Sequence, residues 1–167
     1  MGSEIKLTDR IFLLDGHSLA HRAFYALPLL SNSNGEYTNA VFGFSRMLFK
    51  LLDDRDPELL AVAFDKKGPT FRHEEYEEYK ATRKKMPDEL QPQIGLIKEV
   101  VKALNIPIFE IDGYEADDVI GTLARKAERD DNKVFIVTGD RDALQLVTEN
   151  VNVLYTKKGI TNIVKYD

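Results

Sequence analysis

The chain has 167 residues, 43% of them hydrophobic and 31% charged, with a formal net charge of −5 and no cysteine. Length and apolar content suffice for one domain with its own core. The absence of Cys excludes a disulfide scaffold and a thiolate metal site and is compatible with a reducing cytoplasm, while no apolar run reaches membrane-span length and no signal-peptide core opens the chain.

Ile11-Phe12-Leu13-Leu14 reads as a buried strand ending at Asp15. The next stretch, His17 to Leu27, reads as a helix stopping before Pro28, with Ser18 as its N-cap. Arg22 and Tyr25 share a face of that helix near Asp15, and the ordinary reading of Tyr25 is half-buried core. A polar turn over 31–36 precedes a helix from Asn39 to Leu52, ended by Asp53-Asp54-Arg55-Asp56-Pro57. A second strand, Leu59 to Phe64, ends at Asp65.

Between Asp65 and Asp88 aliphatic residues nearly vanish while basic residues and Tyr rise. Such a segment has no apolar face to bury, so residues 66–87 read as a mobile lid or arch over the strand ends. A solvated, salt-bridged helix is the alternative. Lys80, Arg83 and Lys84 fall on one helical face, suited to phosphate contact.

Leu90 to Leu104 has helical spacing, and Ile106 to Phe109 reads as a short strand. Glu115 to Arg129 is a strongly amphipathic helix with Glu115, Asp117 and Asp118 at its start. Val134 to Gly139 is a strand leading into the turn Gly139-Asp140-Arg141-Asp142, with a helical stretch over 143–147. Val151 to Tyr155 is a strand, and a basic turn leads to a short terminal one.

Continuous apolar runs alternating with helices describe a three-layer α/β/α fold around a mostly parallel sheet. In such sheets ligands bind beyond the carboxyl ends of the strands. Seven acids are directed there: Asp15, Asp65, Glu115, Asp117, Asp118, Asp140 and Asp142. Acids in a first helical turn also complement the helix dipole, so the Glu115 cluster by itself has an ordinary structural explanation. Gathered together, however, seven carboxylates repel, and hard divalent cations such as Mg²⁺ or Mn²⁺ relieve that repulsion with oxygen ligands. Setting these seven aside from the 28 acids leaves 21 against 23 basic residues, so the acidic sum does not exclude a phosphate-bearing partner.

Four motifs in order, Leu14-Asp15-Gly16, Ala63-Phe64-Asp65, Glu115-Ala116-Asp117-Asp118 and Thr138-Gly139-Asp140-Arg141-Asp142, are joined by Phe71-Arg72 and Tyr79-Lys80-x-x-Arg83. Together they resemble the amino-terminal 5′ nuclease domains of bacterial DNA polymerases, in the flap-endonuclease family of PIN-like folds. The resemblance runs from Ile11 to Asp167. It implies that the seven acids are metal ligands and that Lys80 and Arg83 are catalytic phosphate-facing residues. Arg22, Tyr25, Arg72, Lys84 and Lys85 are expected to contact DNA, and 66–87 to form the arch. The implied activity is metal-dependent cleavage of DNA at a 5′ end, nick or flap, with no membrane partner, in the bacterial cytoplasm and at the nucleoid, with polymerase domains following in a full-length protein. The family also carries a later acidic segment and a helix-hairpin element that grips duplex DNA. Neither lies within residues 1–167, so the second metal site is expected to be short of ligands. A PIN-type ribonuclease and a DNA-binding module with a weakly active site are the competing readings; the long basic arch speaks against the former.

Overall fold

The computed structural model describes residues 10–66, 86–158 and 162–166. The elements in chain order are β1 (Arg10–Asp15), α1 (Gly16–Ala26), α2 (Asn39–Arg55), β2 (Leu59–Ala63), α3 (Gln91–Ala103), β3 (Ile108–Phe109), α4 (Ala116–Arg129) and β4 (Lys133–Thr138). A 3₁₀ helix (Arg141–Leu146), β5 (Val151–Lys158) and β6 (Asn162–Tyr166) follow. One six-stranded sheet runs in the order β3-β2-β1-β4-β5-β6, parallel except for the antiparallel β5–β6 pair.

Each central strand is apolar on both faces because both are covered. Phe12, Leu14, Val62, Phe64, Val137 and Leu154 pack under α1, α2 and α3. Leu13, Ala63, Val134, Ile136 and Val153 face α4 and the 3₁₀ helix. Alternate residues of one strand thus enter two separate cores, giving the expected three layers. Successive strands depart from β1 to one side and then to the other, which puts the topological switch point between β1 and β4.

A buried amide pair locks the helical layer. The Gln93 side chain accepts from the backbone N–H groups of Ala40 (2.7 Å) and Val41 (3.1 Å), capping α2 where Thr38 supplies no side-chain cap. Its Nε2 donates to Asn39 Oδ1 and to the Glu89 carbonyl, both at 2.9 Å, and Asn39 Nδ2 donates to the Phe24 carbonyl at 3.0 Å. Two buried amides thereby join the end of α1 to the starts of α2 and α3, with every Gln93 donor and acceptor used.

Several local expectations change. The N-cap of α1 is Asp15, not Ser18: Asp15 Oδ1 accepts the Ser18 N–H at 3.3 Å, and Ser18 already belongs to the helix. Helix α2 runs on to Arg55 because Asp56, in the left-handed region at φ 44°, returns its N–H to the Leu52 carbonyl. The strand expected over 106–109 narrows to two residues at the sheet edge. The helical stretch expected from 143 begins at Arg141 and is 3₁₀. Tyr25 is 69% exposed, so it is not half-buried core. Most of the arch expected over 66–87, with Arg72, Lys80, Arg83, Lys84 and Lys85, lies outside the described residues.

Candidate metal centre and adjoining groove

The strand register brings the acids together. Asp15 ends β1 opposite Ala63 of β2, and on the other side Leu14 pairs with Val137, so Asp15 stands beside Thr138. Glycine at position 16 lets β1 turn into α1 against β2: a Cβ there would overlap the Phe64 ring. Asp65 follows β2, Asp140 follows β4, and Glu115 with Asp117 opens α4.

Five of the seven acids, Asp15, Asp65, Glu115, Asp117 and Asp140, line one cavity of about 170 Å³ together with His17, Ser18 and His21. Asp118 and Asp142 line a neighbouring cavity of about 260 Å³ between α4 and the 3₁₀ helix, which Asp15 and Asp117 also reach. The seven acids therefore divide between two cavities with two members in common.

Several of these acids also have structural tasks. Asp65 Oδ1 accepts the Ala116 N–H at 2.6 Å, tying the end of β2 to the first turn of α4. Glu115 and Asp118 form a reciprocal capping box on α4, with Asp118 Oδ2 accepting the Glu115 N–H at 3.1 Å. Asp140 caps the 3₁₀ helix by accepting from Asp142 N at 2.9 Å. The ordinary role of acids at helix starts and the gathering of acids at one edge are both present.

Asp15 is only 5% exposed. Burial pushes its carboxyl up to about 8, the charge of Asp117 adds to this, and Asp65 adds less; the Ser18 amide and Thr138 hydroxyl pull the other way. Asp117 is pushed up to about 6 by partial burial and then by Asp140, Asp65 and Glu115, while a hydrogen bond from Asp15 opposes the shift. Asp117 keeps substantial contact with water, which screens those charges. Burial holds the His17 imidazole below its ordinary value against the pull of Asp65. His17 Nδ1 lies 3.8 Å from Asp65 Oδ2, yet it also accepts the Asp65 N–H at 3.0 Å. An acceptor nitrogen carries no proton, so His17 is neutral and this contact is not an ion pair.

The donor set is carboxylate with two imidazoles and no thiol, which suits a hard divalent ion. Among the described residues no group of three or more His, Asp or Glu side chains is already arranged to hold an ion. Asp15, Asp65, Asp118 and Asp140 each turn one oxygen to a backbone amide. The raised carboxyls of Asp15 and Asp117 reflect burial first and the charges of the neighbouring acids second.

Beside this cavity lies a groove of about 460 Å³ lined by Ser18, His21, Arg22, Tyr25, Gly139, Asp140 and Arg141. Arg22 donates to the Tyr155 hydroxyl (2.8 Å) and the Gly139 carbonyl (3.3 Å). The guanidinium carbons of Arg22 and Arg141 lie 5.5 and 5.7 Å from the Tyr155 ring centroid. Gly139 leaves room for this arrangement, since a Cβ there would stand 2.7 Å from Arg22 Nε and the arginine would have to shift. Sequence reasoning missed His17, His21, Thr138 and Tyr155; the Thr138-to-Asp142 motif was the available signal for Thr138 alone.

A mostly parallel sheet with acids gathered at its switch point is the architecture of PIN-like nuclease domains. The chain belongs to the family of 5′-3′ exonuclease N-terminal, resolvase-like domains, whose sequence model matches residues 10–167. It is 49% identical over 160 residues to DNA polymerase I of Geobacillus stearothermophilus, covering 96% of this chain and 18% of that one. The chain thus spans less than a fifth of the length of such relatives. Among solved structures, the T5 5′-exonuclease with bound zinc superposes with a TM-score of 0.69 at 22% identity, over 94% of this chain and 57% of that one. A bacteriophage T5 flap endonuclease in a pseudo-enzyme-product complex with DNA and metal ions gives 0.68 at 22% identity, with the same coverage. At these identities the likeness establishes the fold. Among the described residues no helix is long and apolar enough to cross a membrane.

Proposed function

We propose that this chain is the divalent-metal-dependent 5′ nuclease part of a bacterial DNA polymerase I, hydrolysing phosphodiester bonds of DNA at a 5′ end, nick or flap. The observation that carries the reading is the gathering of Asp15, Asp65, Glu115, Asp117 and Asp140 around one cavity, beside a groove walled by Arg22 and Arg141. Family membership fixes the reaction class; the residue roles, the metal and the DNA geometry are our assignments.

The five acids of this cavity, with Asp118 and Asp142 in the adjoining one, would hold Mg²⁺ or Mn²⁺. Such ions supply an activated water and offset charge on the phosphate oxygens. The chain's own groups do the rest. Asp15 lies buried at the base of the site, where the Ser18 amide and the Thr138 hydroxyl fix its two oxygens. Arg22, anchored by Tyr155, presents a pre-set guanidinium to a phosphate in the groove. Exposed Tyr25 offers a face on which a base can stack. Lys80 and Arg83 are assigned to stabilise charge on the cleaved phosphate, and Arg72, Lys84 and Lys85 to contact the strand, within an arch spanning 66–87. The bacterial cytoplasm, at the nucleoid, is the corresponding location.

One observation favours a second reading, a DNA-binding module with a weakly active site: no acid trio is already arranged around an ion. Incubation with 5′-flap DNA, nicked DNA and single-stranded RNA, with Mg²⁺, Mn²⁺ or EDTA, separates the readings. Cleavage of 5′-branched DNA that needs the ion and is lost in Asp117→Asn is expected. Binding without cleavage selects the module, and preference for RNA selects a ribonuclease.

A further inference from the structure

The two acids at the switch point, Asp15 and Asp140, come from different strands, and one buried hydroxyl stands between them. Thr138 is 1% exposed. Its Oγ1 lies 3.1 Å from Asp15 Oδ2, to which it donates, and it accepts the Asp140 N–H at 3.0 Å. The Ser18 hydroxyl, 3.3 Å from Thr138 Oγ1, accepts the Gly139 N–H at 2.8 Å. A hydroxyl has one proton and two lone pairs. At Thr138 the proton is best used on the carboxylate and one lone pair on the Asp140 amide, leaving the second lone pair for Ser18.

We infer that Thr138, supported by Ser18, is a positioning residue that sets the separation and orientation of Asp15 and Asp140 for a divalent cation. The inference rests on the metal-dependent reading above. Asp15 Oδ1 is already held by the Ser18 amide, so the Thr138 hydroxyl is what fixes the second oxygen and hence the carboxylate plane. The same hydroxyl fixes the backbone at which Asp140 leaves β4. Partners that orient first ligands in this way typically change metal affinity by ~10–100-fold when removed.

The test uses the whole chain, with Mn²⁺ affinity read by titration calorimetry and stability by urea unfolding in EDTA. Thr138→Val keeps the side-chain shape and loses the hydroxyl; Thr138→Ser keeps the hydroxyl and loses the methyl. Thr156→Val is the control. It is an equally buried hydroxyl on β5 that donates to the Thr138 carbonyl at 3.5 Å and touches neither acid. We expect wild type to bind Mn²⁺, Thr138→Val to bind at least ~10-fold more weakly, and Thr138→Ser and Thr156→Val to stay within ~3-fold of wild type, whatever their stability losses. Wild-type affinity in Thr138→Val, or an equal loss in Thr156→Val, overturns the positioning role and leaves the metal-dependent reading standing. Absence of Mn²⁺ binding by wild type removes both.

Discussion

Raising the pH of the metal-free protein should destabilise it, and the size of the effect follows from Asp15. Its folded-state pKa is raised from 3.8 to about 8, first by burial and then by the charge of Asp117. Between those values the folded chain holds a proton that the unfolded chain has released. The resulting stabilisation is complete below pH ~4 and is lost as pH rises through ~8. His17, whose folded value is lowered from 6.5, acts oppositely and only as pH falls below that value, so the clean window for Asp15 is pH 6.5 to 8.5. Over that window linkage gives a loss of ~2 kcal/mol, equivalent to ~4–8 °C in Tm for a chain of this size. The assay is thermal and urea unfolding in EDTA at half-unit pH steps. Asp15→Asn, which cannot ionise, should flatten the profile, and millimolar Mg²⁺ should reverse it, because an ion held by ionised carboxylates stabilises only the folded form. Metal-free stability that is flat or rises across the window, or a slope that survives in Asp15→Asn, would refute the placement of a buried, crowded carboxylate at the heart of the site.

Three further outcomes are expected. Gln93→Leu leaves the buried Ala40 and Val41 amides without their acceptor and should cost ~3–5 kcal/mol, read as a fall of ~6–20 °C in Tm; a change under ~1 kcal/mol would show that α2 caps itself another way. Gly16→Ala drives a methyl into the Phe64 ring beside Asp65 and should lower stability by ~3 kcal/mol or more while weakening Mn²⁺ binding, both measured on the same preparation. Tyr155→Phe keeps the ring and removes the 2.8 Å anchor of Arg22; stability should fall by ~1 kcal/mol and cleavage of 5′-flap DNA by roughly 3- to 10-fold, with Mn²⁺ affinity unchanged as the discriminating reading.

Much of this protein is written in local sequence. Apolar runs such as Ile11–Leu14 and Val134–Val137 announce strands buried on both faces, and both cores receive alternate residues from them. The spacing of Ala116, Val119, Ile120 and Ala124 announces α4, and those residues are its buried stripe. Acids placed directly after strands announce the candidate site, because parallel sheets gather their carboxyl ends at one edge. What tertiary structure alone decided is which groups meet. Gln93 caps a helix 53 residues earlier, and Thr138 reaches an aspartate 123 residues away. The division of seven acids between two cavities, the transfer of the α1 cap from Ser18 to Asp15, and the exposure of Tyr25 likewise depend on register and helix crossing. Periodicity is a property of neighbours along the chain, whereas a hydrogen bond between distant polar groups exists only once the packing of the apolar layers has set their distance.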